Sequence, residues 1–199
     1  MIYKSKLPLK QIEHITREVI AETEKRRLNV FGAKIPCKSG CSHCCSRQIH
    51  MTLGEAYNIR VNLVASRKYE EVKERMGVLK QYENLDPMTW FKMNIKCPIL
   101  DPKTNKCLAY EVRPLTCAIH FVESDPDSCD PWSMKVPRFQ PIDMIDIFEK
   151  AVKNISKVSS KNYWSISLIA HRALEASEKM DQLEGLSLDE VMGLVARNL

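Results

Sequence analysis

Nine consecutive residues, Cys37-Lys38-Ser39-Gly40-Cys41-Ser42-His43-Cys44-Cys45, carry four thiols. Gly40 allows a tight turn between them, because glycine alone enters left-handed backbone without a steric penalty. Four more cysteines follow at long intervals: Cys97, Cys107, Cys117 and Cys129. A single cysteine is usually a small buried hydrophobe, but eight in two groups are poorly explained that way. Disulfides persist in oxidising compartments. Met1 to Lys10 lacks the apolar segment of a secretory signal, so the expected location is the cytoplasm, where thiols stay reduced. Reduced thiols at this density point to metal.

Composition narrows the setting. With 44% hydrophobic and 28% charged residues the sequence reads as a globular chain. No apolar run approaches the roughly 20 residues that span a bilayer, so no membrane association is expected. The net charge is +5, and the short basic run Lys25-Arg26-Arg27 reads as a solvated helix face. No nucleic-acid module is visible, and no nucleic-acid partner is expected.

Hydrophobic spacing predicts a helix over 8–30, with Ile12, Ile15 and Val19 inward and Phe31-Gly32 ending it. Pro36 marks the loop into the cysteines. Thr52-Leu53-Gly54-Glu55 reads as a capping box, opening a helix that runs to about Ser66 on Ala56, Ile59 and Leu63. Residues 68–84 predict another helix, facing inward through Val72, Met76 and Leu79 and stopped at Asp86-Pro87. From there to Gln140, prolines at 87, 98, 102, 114, 126, 131 and 137 forbid any long helix. Short strand pairs are expected around Lys106–Ala109 and Thr116–Phe121, with a turn at Asp101–Lys106. Metal bonds would then replace the missing hydrogen-bonded framework. The last third predicts helix again: Ile142, Ile145, Phe148, Val152 and Ile155 recur at helical spacing, Trp164 to Met180 forms a second helix, and Ser187-Leu188-Asp189-Glu190 caps a third. The fold class is therefore mainly α, a helical scaffold around a loop-rich, cysteine-ligated metal centre with at most short β pairs. The expected organisation is a metal-binding domain over 1–140 and a helical extension over 141–199 packing on it.

Cys37, Cys41 and Cys44 read C-x-x-x-C-x-x-C, which suits three corners of a cubane iron–sulfur cluster with a remote fourth ligand. A zinc ribbon would need two C-x-x-C hairpins, and only Cys41–Cys44 has that spacing. Radical S-adenosylmethionine enzymes share the three-cysteine spacing, but they need a βα barrel and the chain has no βα repeat. Neighbouring side chains diverge, so Cys45 is expected to serve a second centre or stand as a spare thiol. The metal reading is a 4Fe–4S cluster or iron, with zinc as the alternative.

The second cysteine group extends this. Cys97-Pro98-Ile99-Leu100 and Cys107-Leu108-Ala109-Tyr110-Glu111-Val112-Arg113-Pro114-Leu115-Thr116-Cys117, taken with C-x-x-x-C-x-x-C-C, resemble the YkgJ-type cysteine-cluster family, a zinc- or iron-chelating domain also called CxxCxxCC. The resemblance covers roughly 37–130. It implies metal ligation by Cys37, Cys41, Cys44, Cys45, Cys97, Cys107, Cys117 and Cys129. Relatives carry Cys-Pro-Gly where this chain has Cys129-Asp130-Pro131, which makes Cys129 the weakest candidate ligand, and Arg where it has Ala118. One branch, the flagellin lysine N-methylases, is taken to pair S-adenosylmethionine with an iron–sulfur cluster in longer chains.

Arg113 would offset the negative charge of a thiolate centre and donate to sulfur, and Tyr110 could donate its hydroxyl in the same way or pack in the core. His43 and His120 sit near cysteines, where second-sphere or exposed positions are expected over direct ligation, while His14, His50 and His171 carry no signal. Three functions compete: an iron–sulfur or iron protein, a structural zinc module that presents helices to a partner, and a methyl-transfer or redox enzyme; whether the chain meets a protein partner or a small-molecule substrate stays open. The enzyme reading lacks any paired acid/base carboxylates, nucleophile elbow or cofactor loop.

Overall fold

The computed structural model describes residues 7–31, 37, 40–135, 137–138, 145–157 and 167–180. Helix α1 (Leu7–Phe31) leads to β1 (His50–Thr52), α2 (Leu53–Ala65), α3 (Tyr69–Leu79), α4 (Pro87–Lys92), α5 (Leu115–Ile119), α6 (Ile145–Lys157), β2 (Ser167–Ile169) and α7 (Ala170–Glu178). Short 3-10 turns lie at His43–Ser46, Lys80–Tyr82, Tyr110–Val112 and Pro126–Cys129. The fold is mainly helical. Among the described residues no helix is long and apolar enough to cross a membrane.

Helix α2 is the axis of the core. The capping box forms as its sequence demands: Glu55 N–H donates to Thr52 Oγ1 at 3.2 Å, and Thr52 N–H donates back to Glu55 Oε2 at 2.8 Å. Two early helix donors are thereby satisfied. Ile59 and Leu63 are wholly buried and pack in one cluster with Val72 and Met76 of α3, Ile99 and Val112 of the middle segment, and Ala173 and Leu174 of α7. Each fully buried Leu or Ile contributes roughly 1.5–3 kcal/mol. The cluster therefore ties the proline-rich middle to α2, α3 and α7.

Several local predictions change. The only sheet among the described residues pairs β1 with β2, antiparallel, Met51 opposite Leu168, so Ser167–Ile169 is strand and the helix expected over Trp164 to Met180 starts only at Ala170. Around Lys106–Ala109 the expected pair shrinks to a single bridge, Leu100 to Cys107. It is closed by the predicted Asp101–Lys106 turn, where Asp101 N–H donates to Lys106 O at 2.9 Å and Asn105 takes a left-handed φ of 55°. Thr116–Phe121 is not a strand: its first half lies in α5, because Glu55 Oε1 accepts the Leu115 N–H at 2.6 Å and fixes the first turn. The helix expected over 68–84 ends at Leu79 and tightens into the 3-10 turn Lys80–Tyr82, short of Asp86-Pro87, which instead starts α4. Asp86 Oδ1 accepts from Met88 N–H and Thr89 N–H at 3.0 Å each, and proline occupies the first helical turn. Ile142, Trp164, Gly32, Pro36 and the Ser187–Glu190 cap lie outside the described residues, as do the side chains of Phe148, Val152 and Ile155.

Glu55 thus joins the start of α2 to the start of α5, two residues before Cys117. Its carboxylate is buried, and burial pushes its pKa up against the three donors that favour the ionised form. In Glu55→Gln three donors meet one remaining acceptor oxygen. A loss of about 1–3 kcal/mol in denaturant unfolding is expected, with Glu55→Ala costing more.

Candidate metal centre

The cysteines converge from four short segments. Gly40, at φ 91°, turns the chain between Cys37 and Cys41. The 3-10 turn His43–Ser46 presents Cys44 and Cys45, held by Cys45 N–H to Ser42 O at 3.1 Å and Ser46 Oγ to His43 O at 2.7 Å. Cys97 is tied directly to that turn, its N–H donating to Cys45 O at 2.7 Å. The Leu100–Cys107 bridge brings Cys107 back beside Cys97, and α5 supplies Cys117. The turn Pro126–Cys129 packs against His43–Ser46 and buries Cys129.

Seven of the eight cysteines, Cys37, Cys41, Cys44, Cys45, Cys97, Cys107 and Cys117, line one cavity of about 110 Å³. Cys129 lies off its wall, yet its thiol feels the charges of Cys37, Cys44 and Cys41. The thiols fall into two groups by the charges they feel. Cys37 and Cys41 act by charge on Cys129 and Cys37 on Cys41, Cys97 and Cys117 act on Cys45, Cys107 on Cys97, and Cys97 and Cys107 on Cys117, and Cys44 acts on both groups. All eight are free thiols. Seven stand around the cavity: among the described residues no three His, Cys, Asp or Glu side chains are drawn together tightly enough to hold an ion as they stand.

The backbone is arranged for thiolates. Cys41, Cys97 and Cys107 each accept an N–H from the residue two positions on, His43, Ile99 and Ala109. Cys37 Sγ accepts from Val122 N–H at 3.4 Å. Such donors favour S⁻ over SH. Burial opposes them, pushing Cys97 up to about 12, Cys129 up to about 11, and Cys117 well above its ordinary value. A cation brought to the cavity must therefore displace protons, and it supplies the charge that burial withholds. Cys44 runs the other way: a hydrogen bond from Cys45 lowers it, with smaller help from Arg47 and Lys96, and the same bond raises Cys45. This corrects the expectation that the neighbouring thiols diverge. Both sulfurs turn toward one cavity, since rotation about Cα–Cβ closes the third of a turn that separates successive residues of a 3-10 helix.

Arg113 is buried beside the thiols, its guanidinium 4.0 Å from the centre of the Tyr110 ring, and both residues line the cavity. Tyr110 therefore acts through its ring face. His120 reaches the cavity and is held neutral, its pKa lowered to about 4 by burial and by Arg47. His43 instead stands 3.5 Å from both Asp127 and Asp130 at the rim. His171 is buried and stacks on Trp90. A separate groove of about 450 Å³ runs behind Cys44, Cys117 and His120, lined also by Arg47, Phe91 and Met88.

In the basic run Lys25 is exposed and Arg26 partly so, as expected, but Arg27 is not on the solvated face. Arg27 is 7% exposed and lines the cavity. The signal was present in the spacing: Ile12, Thr16, Val19, Thr23 and Arg27 recur every three or four residues, and all five are buried. Three of these five residues on α1 are polar, so an apolar search stops at Val19.

The donor set therefore fits a thiolate-bound metal group: many sulfurs, N–H donors to sulfur, and buried guanidinium charge. The family model described as "Putative zinc- or iron-chelating domain", CxxCxxCC, matches residues 36–135, about half of the chain. No curated protein and no solved structure matches the chain.

Proposed function

Because the chain belongs to the CxxCxxCC family of zinc- or iron-chelating domains, we propose that its cavity is a thiolate metal centre holding an iron–sulfur cluster, with the eight cysteines as the ligand pool. One observation carries this reading: seven thiols line a single cavity of about 110 Å³. That is several times the roughly 10–15 Å³ needed by one water-sized sphere, and so suits a group of several atoms better than one ion. Cys37, Cys41 and Cys44 supply the closely spaced ligands, and Cys97, Cys107 or Cys117 the remote one. Arg113 lowers the cost of the thiolate charge, and Tyr110 backs the guanidinium. A bound cluster would supply electron transfer, or Lewis acidity at an iron left open.

A specific observation favours zinc as the second reading. The two thiol groups, with Cys44 completing the first, make two sets of four, and four thiolates are a closed structural zinc site. The neighbouring Cys44 and Cys45 would then serve different ions. Iron, zinc and acid-labile sulfide measured on anaerobically purified protein separate the two. Iron with matching sulfide and a brown colour is the expected result. Two tightly held zinc ions without sulfide would replace the cluster with the structural module.

A further inference from the structure

Arg27 sits on α1, before the first residue of the family domain at 36. Its Nη1 donates to Glu24 Oε1 at 3.0 Å, and the same oxygen accepts from Arg113 Nη2 at 2.8 Å. One carboxylate thus bridges two buried guanidiniums. The opposite Nη2 donates to the Cys37 carbonyl, and the Phe121 ring lies 5.4 Å away. The remaining Nε–H is buried and has no partner among the described residues. A buried donor that the described residues leave unpaired is open to a further acceptor. Two guanidiniums against one carboxylate leave a net positive charge on this wall. The wall faces a cavity whose other lining includes seven cysteines, and Arg27 acts on Cys37 by charge.

Resting on the thiolate-centre reading, we propose that Arg27 is a positioning residue of the metal centre. Its Nε–H donates to a metal-bound sulfur, and the Arg27–Glu24–Arg113 bridge holds that donor while balancing the charge of the thiolates. Helix α1 is then a working wall of the centre, although the family domain does not contain it. Lysine cannot reproduce the contact, since it lacks the planar fork that reaches Glu24, Cys37 O and sulfur together.

The test uses the full chain purified with its metal. Wild type, Arg27→Met, Arg27→Lys and the control Arg26→Met, at a more exposed position paired with Glu22 and Asp146, are challenged with EDTA. Metal release and the sulfur-to-metal charge-transfer band are followed, and circular dichroism reports the fold. Loss of an outer-sphere partner typically costs 10–100-fold in affinity, and Arg27→Met is expected to release metal faster by that factor. Arg27→Lys should fall between Arg27→Met and wild type in release, and should also shift the band, because it keeps the charge and loses the Nε–H. Arg26→Met should match wild type in both. Should Arg27→Met fail to fold, the band of Arg27→Lys decides. An unshifted band with wild-type release in the folded Arg27 variants overturns the assignment of Arg27 alone. Wild-type protein purified without any metal overturns it together with the thiolate-centre reading.

Discussion

Cys44→Ser is expected to cost most of the bound metal, more than any other single cysteine replacement. Cys44 is the thiol that acts on both groups, and it is the one eased toward thiolate by its neighbour. Structural thiolate sites bind zinc with roughly 10–16 kcal/mol, so one ligand in four is worth about 3 kcal/mol, near a hundredfold in affinity. Cys129→Ser should cost least under the cluster reading, because Cys129 lies off the cavity wall. Under the two-zinc reading it completes a set of four, and its loss should release one ion of two. Metal content per chain for both variants, on protein shown to be folded, checks the ranking. A Cys44→Ser protein that keeps its full metal would refute the hub role.

Removal of the metal should loosen the cysteine-bearing middle and spare the helical frame. Residues 97–130 carry little regular structure, namely α5, short turns, the Leu100–Cys107 bridge and a bridge residue at Val122, so no extended ladder holds them. Their inward residues Ile99, Ala109 and Val112 do pack in the core, which keeps the segment attached rather than free. Amide protection across 97–130 is therefore expected to fall on the order of a hundredfold with chelator, since metal binding energy is folding energy in such units. Helices α2 and α7, packed on each other through Ile59, Leu63, Ala173 and Leu174, should keep their protection. Hydrogen exchange with and without chelator measures both regions in one experiment, and equal protection in 97–130 would count against a metal-held middle.

What the sequence disclosed follows from the range of the interactions involved. The Thr52–Glu55 box and the Asp101–Lys106 turn are local, so three to five residues specify them. The cysteine spacing is local too, and with the flanking Tyr110–Cys117 block it carried the family resemblance. Helix α5 was hidden because its first turn is fixed from Glu55, far away in the chain, while its own β-branched Thr116 and Ile119 read as strand. The β1–β2 pair joins two three-residue strands from opposite ends of the chain, too short for alternation to show. Arg27 was hidden by its neighbours: read as a run, Lys25-Arg26-Arg27 is a charged face, but read at helical spacing, position 27 continues the buried stripe. Cys129 looked least like a ligand by its flanking residues. The structure places it beside Cys37, Cys41 and Cys44 in influence while leaving it off the cavity.

The central claim is that the thiols converge on bound metal, and thiol titration of the native protein tests it most directly. Anaerobically purified chain is treated with a thiol reagent before and after a strong chelator, with metal release recorded in parallel. The account predicts that few of the eight thiols react at first and that the rest become reactive in step with the metal released. Eight thiols that react at once, in a folded protein that releases no metal, would contradict it.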